Sequence, residues 1–240
     1  MKKIILALFV ISFVASCSFI GGKRIKGNGN ITTQSRNVSG FDAVDVSGAL
    51  DVYVSQDSQF SVKLEGDDNL LQYILIEEHG GTLEVKTKNG VNLRPSSHLK
   101  IFVSAPNYKS IEVSGACDII GEEKLVNKTP IRFDISGAGE VKMDIDAPEV
   151  SAGISGSGTV KLTGETRKVK LNLTGAADAH CFDLKAEEVE VDISGAGDAD
   201  VFASLKLDAS VSGAGSVQYR GGATDISQHV SGAGSVKKAD

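Results

Sequence analysis

A Ser-Gly-Ala-Gly corner returns along this chain at nearly fixed intervals, and that regularity constrains the fold more than any other feature. Copies or close variants stand at Ser47-Gly48-Ala49-Leu50, Ser114-Gly115-Ala116-Cys117, Ser136-Gly137-Ala138-Gly139 and Ser155-Gly156-Ser157-Gly158. Others follow at Thr174-Gly175-Ala176-Ala177, Ser194-Gly195-Ala196-Gly197, Ser212-Gly213-Ala214-Gly215 and Ser231-Gly232-Ala233-Gly234. From Ser114 the steps are 22, 19, 19, 20, 18 and 19 residues, the mark of a repeat architecture.

The flanks of each copy identify the unit. Before it runs an alternating segment such as Ile131-Arg132-Phe133-Asp134-Ile135, and after it another such as Val141-Lys142-Met143-Asp144-Ile145. Apolar residues at every second position are half-buried strands, so each repeat reads strand, corner, strand, corner. A constant period with the same corner suits coils stacked in parallel register better than independent hairpins. The expected fold is an all-β, right-handed parallel β-solenoid of about 19–20 residues per coil, the hand following from the preference of parallel crossovers. The 67 residues from Ser47 to Ser114 are less regular and read as three slightly longer coils.

Residues 1–16 carry Lys2 and Lys3, an apolar run from Ile4 to Val14, and small residues before Cys17. Charged start, short apolar centre and small-residue end describe a secretory signal. The order Val14-Ala15-Ser16-Cys17 resembles a bacterial lipoprotein box, which implies that Cys17 is acylated and becomes the first mature residue. Ser18 after it implies outer-membrane sorting, with the facing side left open. Residues 17–37, rich in glycine and containing Lys23, Arg24 and Lys26, read as a flexible tether near anionic lipid heads. The remaining 38–240 read as one solenoid domain, within the ordinary size of a single all-β unit.

Removing residues 1–16 takes away two lysines and no acid, leaving 23 basic against 31 acidic residues, a net charge of −8. With no basic cluster on the repeats, nucleic acid is not an expected partner.

Three segments together resemble a known family: Gly27-Asn28-Gly29-Asn30-Ile31, Val38-Ser39-Gly40-Phe41-Asp42-Ala43-Val44-Asp45-Val46-Ser47-Gly48, and Gly66-Asp67-Asp68-Asn69-Leu70-Leu71 followed by Gly81-Thr82-Leu83-Glu84-Val85. They are similar to the "putative auto-transporter adhesin, head GIN domain" family of Bacteroidetes lipoproteins and envelope proteins, over roughly Val38 to the C-terminus. The resemblance implies a β-solenoid and an adhesive role, and carries over no catalytic or ligand residue. This chain ends at Lys237-Lys238-Ala239-Asp240 directly after its last corner, so a membrane barrel for self-transport is not expected, and a lipid-anchored solenoid is.

Stacked coils place equivalent positions about 4.8 Å apart, so Ser47, Ser114, Ser136, Ser155, Thr174, Ser194, Ser212 and Ser231 should form a structural column. Their hydroxyls can bond neighbouring backbone in the corner, the glycines should supply unusual conformations, and the alanines should fill a tight space. Two acidic stripes flank that column: Asp45, Glu112, Asp134 and Asp192 before it, and Asp51, Asp118, Glu140, Asp178 and Asp198 after it. They read first as a solvated face. Asp118, Glu140, Asp178 and Asp198 are also candidates for weak cation binding, because closely spaced carboxylates repel and hard cations relieve that. The glycine-rich nonapeptide of calcium β-rolls is missing, so no dedicated metal site is expected.

Cys117 and Cys181 lie three coils apart, about 14 Å, beyond the roughly 7 Å span of a disulfide, and should be unpaired. His79, His98, His180 and His229 are scattered without metal-ligand spacing. A polysaccharide-active enzyme would need paired acids in a groove. Asp118 with Glu140 or Asp178 with Asp198 could be drawn so, yet repetition explains them more simply, and no cofactor is called for. The chain lacks tryptophan, which disfavours a sugar platform, and Phe133, Phe182 and Phe202 fall where they should pack inward. Leu70, Leu71, Tyr73, Ile74, Leu75 and Ile76 form an apolar run that reads as an end cap, with a gap for a lipid as the alternative. The resulting expectation is a non-enzymatic, lipid-anchored envelope module acting through its surface. The alternatives are a periplasm-facing lipid- or glycan-binding protein and, third, a polysaccharide-active enzyme. Protein, glycan or lipid partners stay unassigned, and self-association through an open C-terminal edge is a further expectation.

Overall fold

The computed structural model describes residues 22–239. The signal segment and Cys17 lie outside the described residues.

Alternation becomes strand and strand becomes coil. In β13 (Ile131–Ala138) the side chains of Ile131, Phe133 and Ile135 are buried while Arg132 and Ser136 face solvent. Burying each such apolar side chain contributes about 1.5–3 kcal/mol, and the pleat delivers one at every second residue. Four long bent strands, β14 (Glu140–Gly156), β15 (Thr159–Gly175), β16 (Asp178–Gly195) and β17 (Asp198–Gly213), each make a whole coil and pair in parallel with the next. Shorter strands precede them: β10 (Ser110–Ala116), β11 (Ile119–Gly121) and β12 (Leu125–Val126). After them come β18 (Ser216–Arg220), β19 (Asp225–Gly232) and β20 (Ser235–Lys238). The architecture is an all-β solenoid of stacked parallel coils, about 7 turns long, around one continuous apolar core.

Charge reinforces the stacking register. Glu149, Lys168, Glu188, Lys206 and Asp225 lie directly above one another and alternate in sign. A one-coil slip would bring like charges together, which costs where opposite charges stabilise.

The irregular N-terminal part does not form three successive coils. Its strands are β3 (Ala43–Gly48), β4 (Asp51–Gln56), β5 (Ser61–Asp67), β6 (Ile74–His79), β7 (Thr82–Thr87), β8 (Val91–Arg94) and β9 (Lys100–Ala105). β3 lies between β7 and β10, parallel to both, and β4 lies between β9 and β11. The coil built first is thus sandwiched between one built later and the regular stack. The excess length makes a cap. Asp57 accepts the Gln59 N–H and turns the chain, so that β5 runs antiparallel to β9. A two-residue Gly80-Gly81 loop with both φ positive, +59° and +85°, folds β6 antiparallel onto β7, as a type I′ hairpin requires. Leu70, Leu71 and Ile74 are buried beneath this cap and Tyr73, Leu75 and Ile76 are half-buried, which is the capping role.

The tether expectation also needs correction. Residues from Gly22 onward belong to the folded body: β1 (Lys23–Lys26) pairs with β8, and β2 (Ile31–Arg36) pairs antiparallel with β5. The glycines there serve packing, since a Cβ on Gly27 would overlap the Asp67 carboxylate.

At the opposite end, β19 and β20 pair on one side only among the described residues. Ile226 and Val230, which continue the inward columns of Leu207 and Val211, are 37% and 41% exposed.

Candidate functional site

The corner column runs unbroken. Ser47, Ser114, Ser136, Ser155, Thr174, Ser194, Ser212 and Ser231 are successive partners in the parallel ladder. All but Ser47 are exposed. Backbone, not hydroxyl, stitches the corner. The N–H of Ala176 donates to Gly156 O at 2.9 Å, that of Ala196 to Gly175 O at 2.8 Å and that of Ala214 to Gly195 O at 2.8 Å. The column members from Ser114 onward present their hydroxyls on the exposed face.

The alanines face outward too, and the tight position is the residue after them. There the side chain turns inward, and Leu50, Cys117, Ala177, Gly197 and Gly215 are buried. A Cβ on Gly197 would overlap the Ala177 carbonyl oxygen. The glycine directly after each column residue has φ between +103° and +138°, and from Gly115 onward a Cβ there would also strike the carbonyl of the coil below. Both demands exclude side chains.

The acidic stripes differ from one another. In the first, Glu77, Glu84, Asp45, Glu112 and Asp134 are contiguous, followed by Gly153, Asn172 and Asp192. Burial raises the Asp45 pKa above the ordinary carboxylate value, the Glu84 charge adds to that, and Lys86 opposes it. Glu77, His79 and Glu84 are close enough to share an ion. The Lys86 ammonium already sits 3.1 Å from Glu77 and 2.8 Å from Glu84 and holds Glu77 below its ordinary pKa.

In the second stripe the carboxylates are committed to the backbone. Asp118 Oδ1 accepts the Glu140 N–H at 2.9 Å, Asp178 Oδ1 the Asp198 N–H at 3.0 Å, and Asp198 Oδ1 both the Ser216 N–H at 2.9 Å and its hydroxyl at 2.6 Å. Thr159 separates Glu140 from Asp178, and Glu140 pairs with Lys161 at 2.9 Å. The four residues drawn as a cation stripe therefore form two stacked pairs whose charge is largely engaged as backbone acceptor or ion pair.

Three histidines lie within 4 Å of acids: His79 of Glu77 at 3.7 Å, His98 of Asp51 at 2.8 Å and His180 of Asp200 at 2.9 Å, all three histidines exposed. Cys117 and Cys181 are free and buried, and burial pushes the Cys181 thiol up to about 12. Phe133 packs inward, but Phe182 and Phe202 do not. Each follows a buried residue, Cys181 or Val201, and so points out, and register shifts in the β16–β17 ladder accommodate them. Arg220 lies 4.1 Å from the Phe182 ring and Lys185 4.3 Å from the Phe202 ring, so a cation covers one face of each ring.

Three sequence segments far apart in the chain meet in a clamp that the sequence did not disclose. Asp67, buried, accepts the Gly29 N–H at 2.7 Å, the Ser96 N–H at 2.8 Å and the Ser96 hydroxyl at 2.7 Å. Asn69 donates to Lys26 O and accepts from the Asn28 N–H, while Asn28 donates to Asp68 at 2.6 Å. The hydrogen bonds of Ser96, then of Gly29, hold the Asp67 carboxyl below its ordinary range. The clamp fastens the entering chain to the capped end. Beside it a groove of about 560 Å³ lies between the β1–β8 ribbon and the Gly48–Ala49 corner, lined by Val91, Leu93, Pro95 and Leu99.

The family model described as "putative auto-transporter adhesin, head GIN domain" matches residues 40–223. No curated protein matches the chain significantly. Among solved structures, one from Bacteroides fragilis NCTC 9343, described as a putative adhesin, superposes with a TM-score of 0.79 at 24% identity, covering 90% of this chain and 100% of that one. Another, from Parabacteroides distasonis ATCC 8503 and described as a putative lipid binding protein, gives 0.75 at 24% identity over 91% and 100%. A third, from Parabacteroides merdae ATCC 43184 and described as a putative adhesin, gives 0.65 at 22% identity over 90% and 99%. At these identities the likeness is one of fold.

Proposed function

The chain belongs to the "putative auto-transporter adhesin, head GIN domain" family, and from that membership we propose that it is a non-enzymatic, lipid-anchored β-solenoid of the cell envelope whose outer face is an adhesion or interaction module. The observation that carries this reading is the periodic exposed column of hydroxyls beside the acidic stripes. Identical groups repeated about every 4.8 Å match an extended partner that can be read at many equivalent points, and many weak contacts then sum to retention. Small-molecule chemistry instead wants a few groups converging in a concavity. Here the candidate acids spend their oxygens on backbone N–H groups.

Acylated Cys17 is the proposed anchor, in the outer membrane. Labelling cells with radioactive palmitate tests it: the wild-type chain should take up label and fractionate with membranes, and Cys17→Ser should do neither. Label retained by that variant would remove the anchor.

A second reading, binding of a lipid or envelope glycan on the periplasmic side, is favoured by the groove beside β1–β8. Self-association is a proposal of the same standing. In antiparallel pairing of two β19 strands centred on Gln228, Ile226 of one copy meets Val230 of the other. Sedimentation should show concentration-dependent dimers, and monomers throughout would exclude it.

A further inference from the structure

The β1–β8 ribbon stands apart from the solenoid as its own two-stranded sheet. Lys23-Arg24-Ile25-Lys26 runs parallel to Val91-Asn92-Leu93-Arg94, placing Arg24 beside Asn92 and Lys26 beside Arg94. Of these eight residues four are cations and none is an acid, in a chain whose net charge is −6. Lys23, Arg24, Lys26 and Arg94 are all exposed. On the coils Lys86, Lys100, Lys161 and Lys206 each meet a carboxylate within 4 Å, and unpaired cations such as Lys124 and Lys142 stand singly beside acids in the sequence, so what sets the ribbon apart is four cations together with no acid among them. Among the described residues the ribbon's four cations have no ion-pair partner. A locally unbalanced positive face on an acidic protein calls for a negative surface outside the chain.

Position supplies the surface. Five residues lie between Cys17 and Lys23, so the two are at most about 20 Å apart fully extended. The clamp of Asp67, Asn69 and Asn28 fixes the ribbon to the capped end, so the ribbon cannot swing away from an anchor at Cys17. We propose that the β1–β8 ribbon is a membrane-contact surface for anionic phospholipid headgroups, laying the capped end of the solenoid against the bilayer and aiming the open end outward. The orientation rests on the acylated Cys17 proposed above, whereas the headgroup contact rests on the ribbon's charge and can be measured without the lipid.

Residues 17–240 contain every described element, so the mature chain carrying Cys17→Ser, produced without its signal segment and therefore unacylated, is the test protein. Its flotation is measured with phosphatidylcholine vesicles and with vesicles in which part of that lipid is phosphatidylglycerol. The chain should bind the anionic vesicles at low salt and be released at high salt. Arg24→Gln with Arg94→Gln should weaken binding on the order of thirtyfold, each cation near such a surface being worth about fivefold. Lys237→Gln with Lys238→Gln, at the far end, should leave it unchanged, and both double variants should keep the wild-type melting curve. Equal binding to neutral vesicles, no loss in the ribbon variant, or an equal loss in the far-end variant would overturn the assignment. Failure of palmitate labelling with anionic binding intact would remove the anchor and keep the ribbon.

Discussion

Gly197 is buried at the corner, and any side chain there would drive its Cβ into the carbonyl oxygen of Ala177 one coil below. Gly197→Ala should therefore cost about 2 kcal/mol or more in denaturant unfolding, as overpacking against backbone does. Ala196→Ser, one residue earlier and exposed, should stay within about 0.5 kcal/mol. If the two variants unfold alike, the inward assignment is wrong. The sequence shows that the corner needs glycine, and the alternation of its flanking strands carried through it shows which residue points in. Parity runs unbroken through the corner: Ile193 in, Ser194 out, Ala196 out, Gly197 in and Ala199 in, with the positive-φ Gly195 holding an inward place without a side chain. The expectation of tightly packed alanines and inward Phe182 and Phe202 set residue type above that alternation, which places all of them outside.

Asp67 makes a titration prediction at the same scale. Its folded pKa is depressed by hydrogen bonds from Ser96 and Gly29, so its stabilisation is complete above the unfolded value of about 3.9 and disappears as pH falls through the folded value. Wild-type melting temperature should fall on acidification below about pH 4 more steeply than that of Asp67→Asn, which should already be lower at neutral pH. Parallel curves would show that the carboxylate charge does not hold the clamp.

Among elements, the order of the N-terminal coils was illegible for a physical reason. Parallel and antiparallel strands bury alternate residues in the same way, so β5 carries the burial pattern of a coil strand while pairing antiparallel on both sides. Only long-range pairing places β3 between β7 and β10. The later coils were legible because each has one choice of neighbour at a fixed spacing. Their charge ladder yields a deletion test. Removing residues 159–177 would stack Glu149 against Glu188, whereas removing 159–197 would stack it against Lys206 and restore the alternation. Per coil removed, the double deletion should be the less destabilising in thermal unfolding, and the reverse ranking would deny the ladder a role in register. In hydrogen exchange, β19 and β20, paired on one side, should open first and β14–β17 last. Uniform protection would contradict the open edge.

At the scale of the whole molecule, the period announced a solenoid and the residues that resemble the head GIN family announced its relatives. The partner stayed hidden because a repeated outer face distributes recognition over many equivalent positions, so no single residue stands out. The clamp that unites Asn28 and Gly29 with Asp67, Asp68, Asn69 and Ser96 was hidden for the opposite reason, its hydrogen-bonded partners being 29 or more residues apart. The fold also provides a clean way to ask where that face is displayed. Cys117 and Cys181 are buried and their pKa values are raised by that burial, so they should resist thiol reagents, whereas Ser194 is exposed in mid-column. The decisive measurement is labelling of a Ser194→Cys variant on intact cells with a membrane-impermeant maleimide, with a periplasmic cysteine protein as leakage control. Labelling of the variant and not of the control is the result expected for a surface adhesion module. Labelling only after the outer membrane is opened would contradict it and move the partner search to periplasmic lipid and glycan.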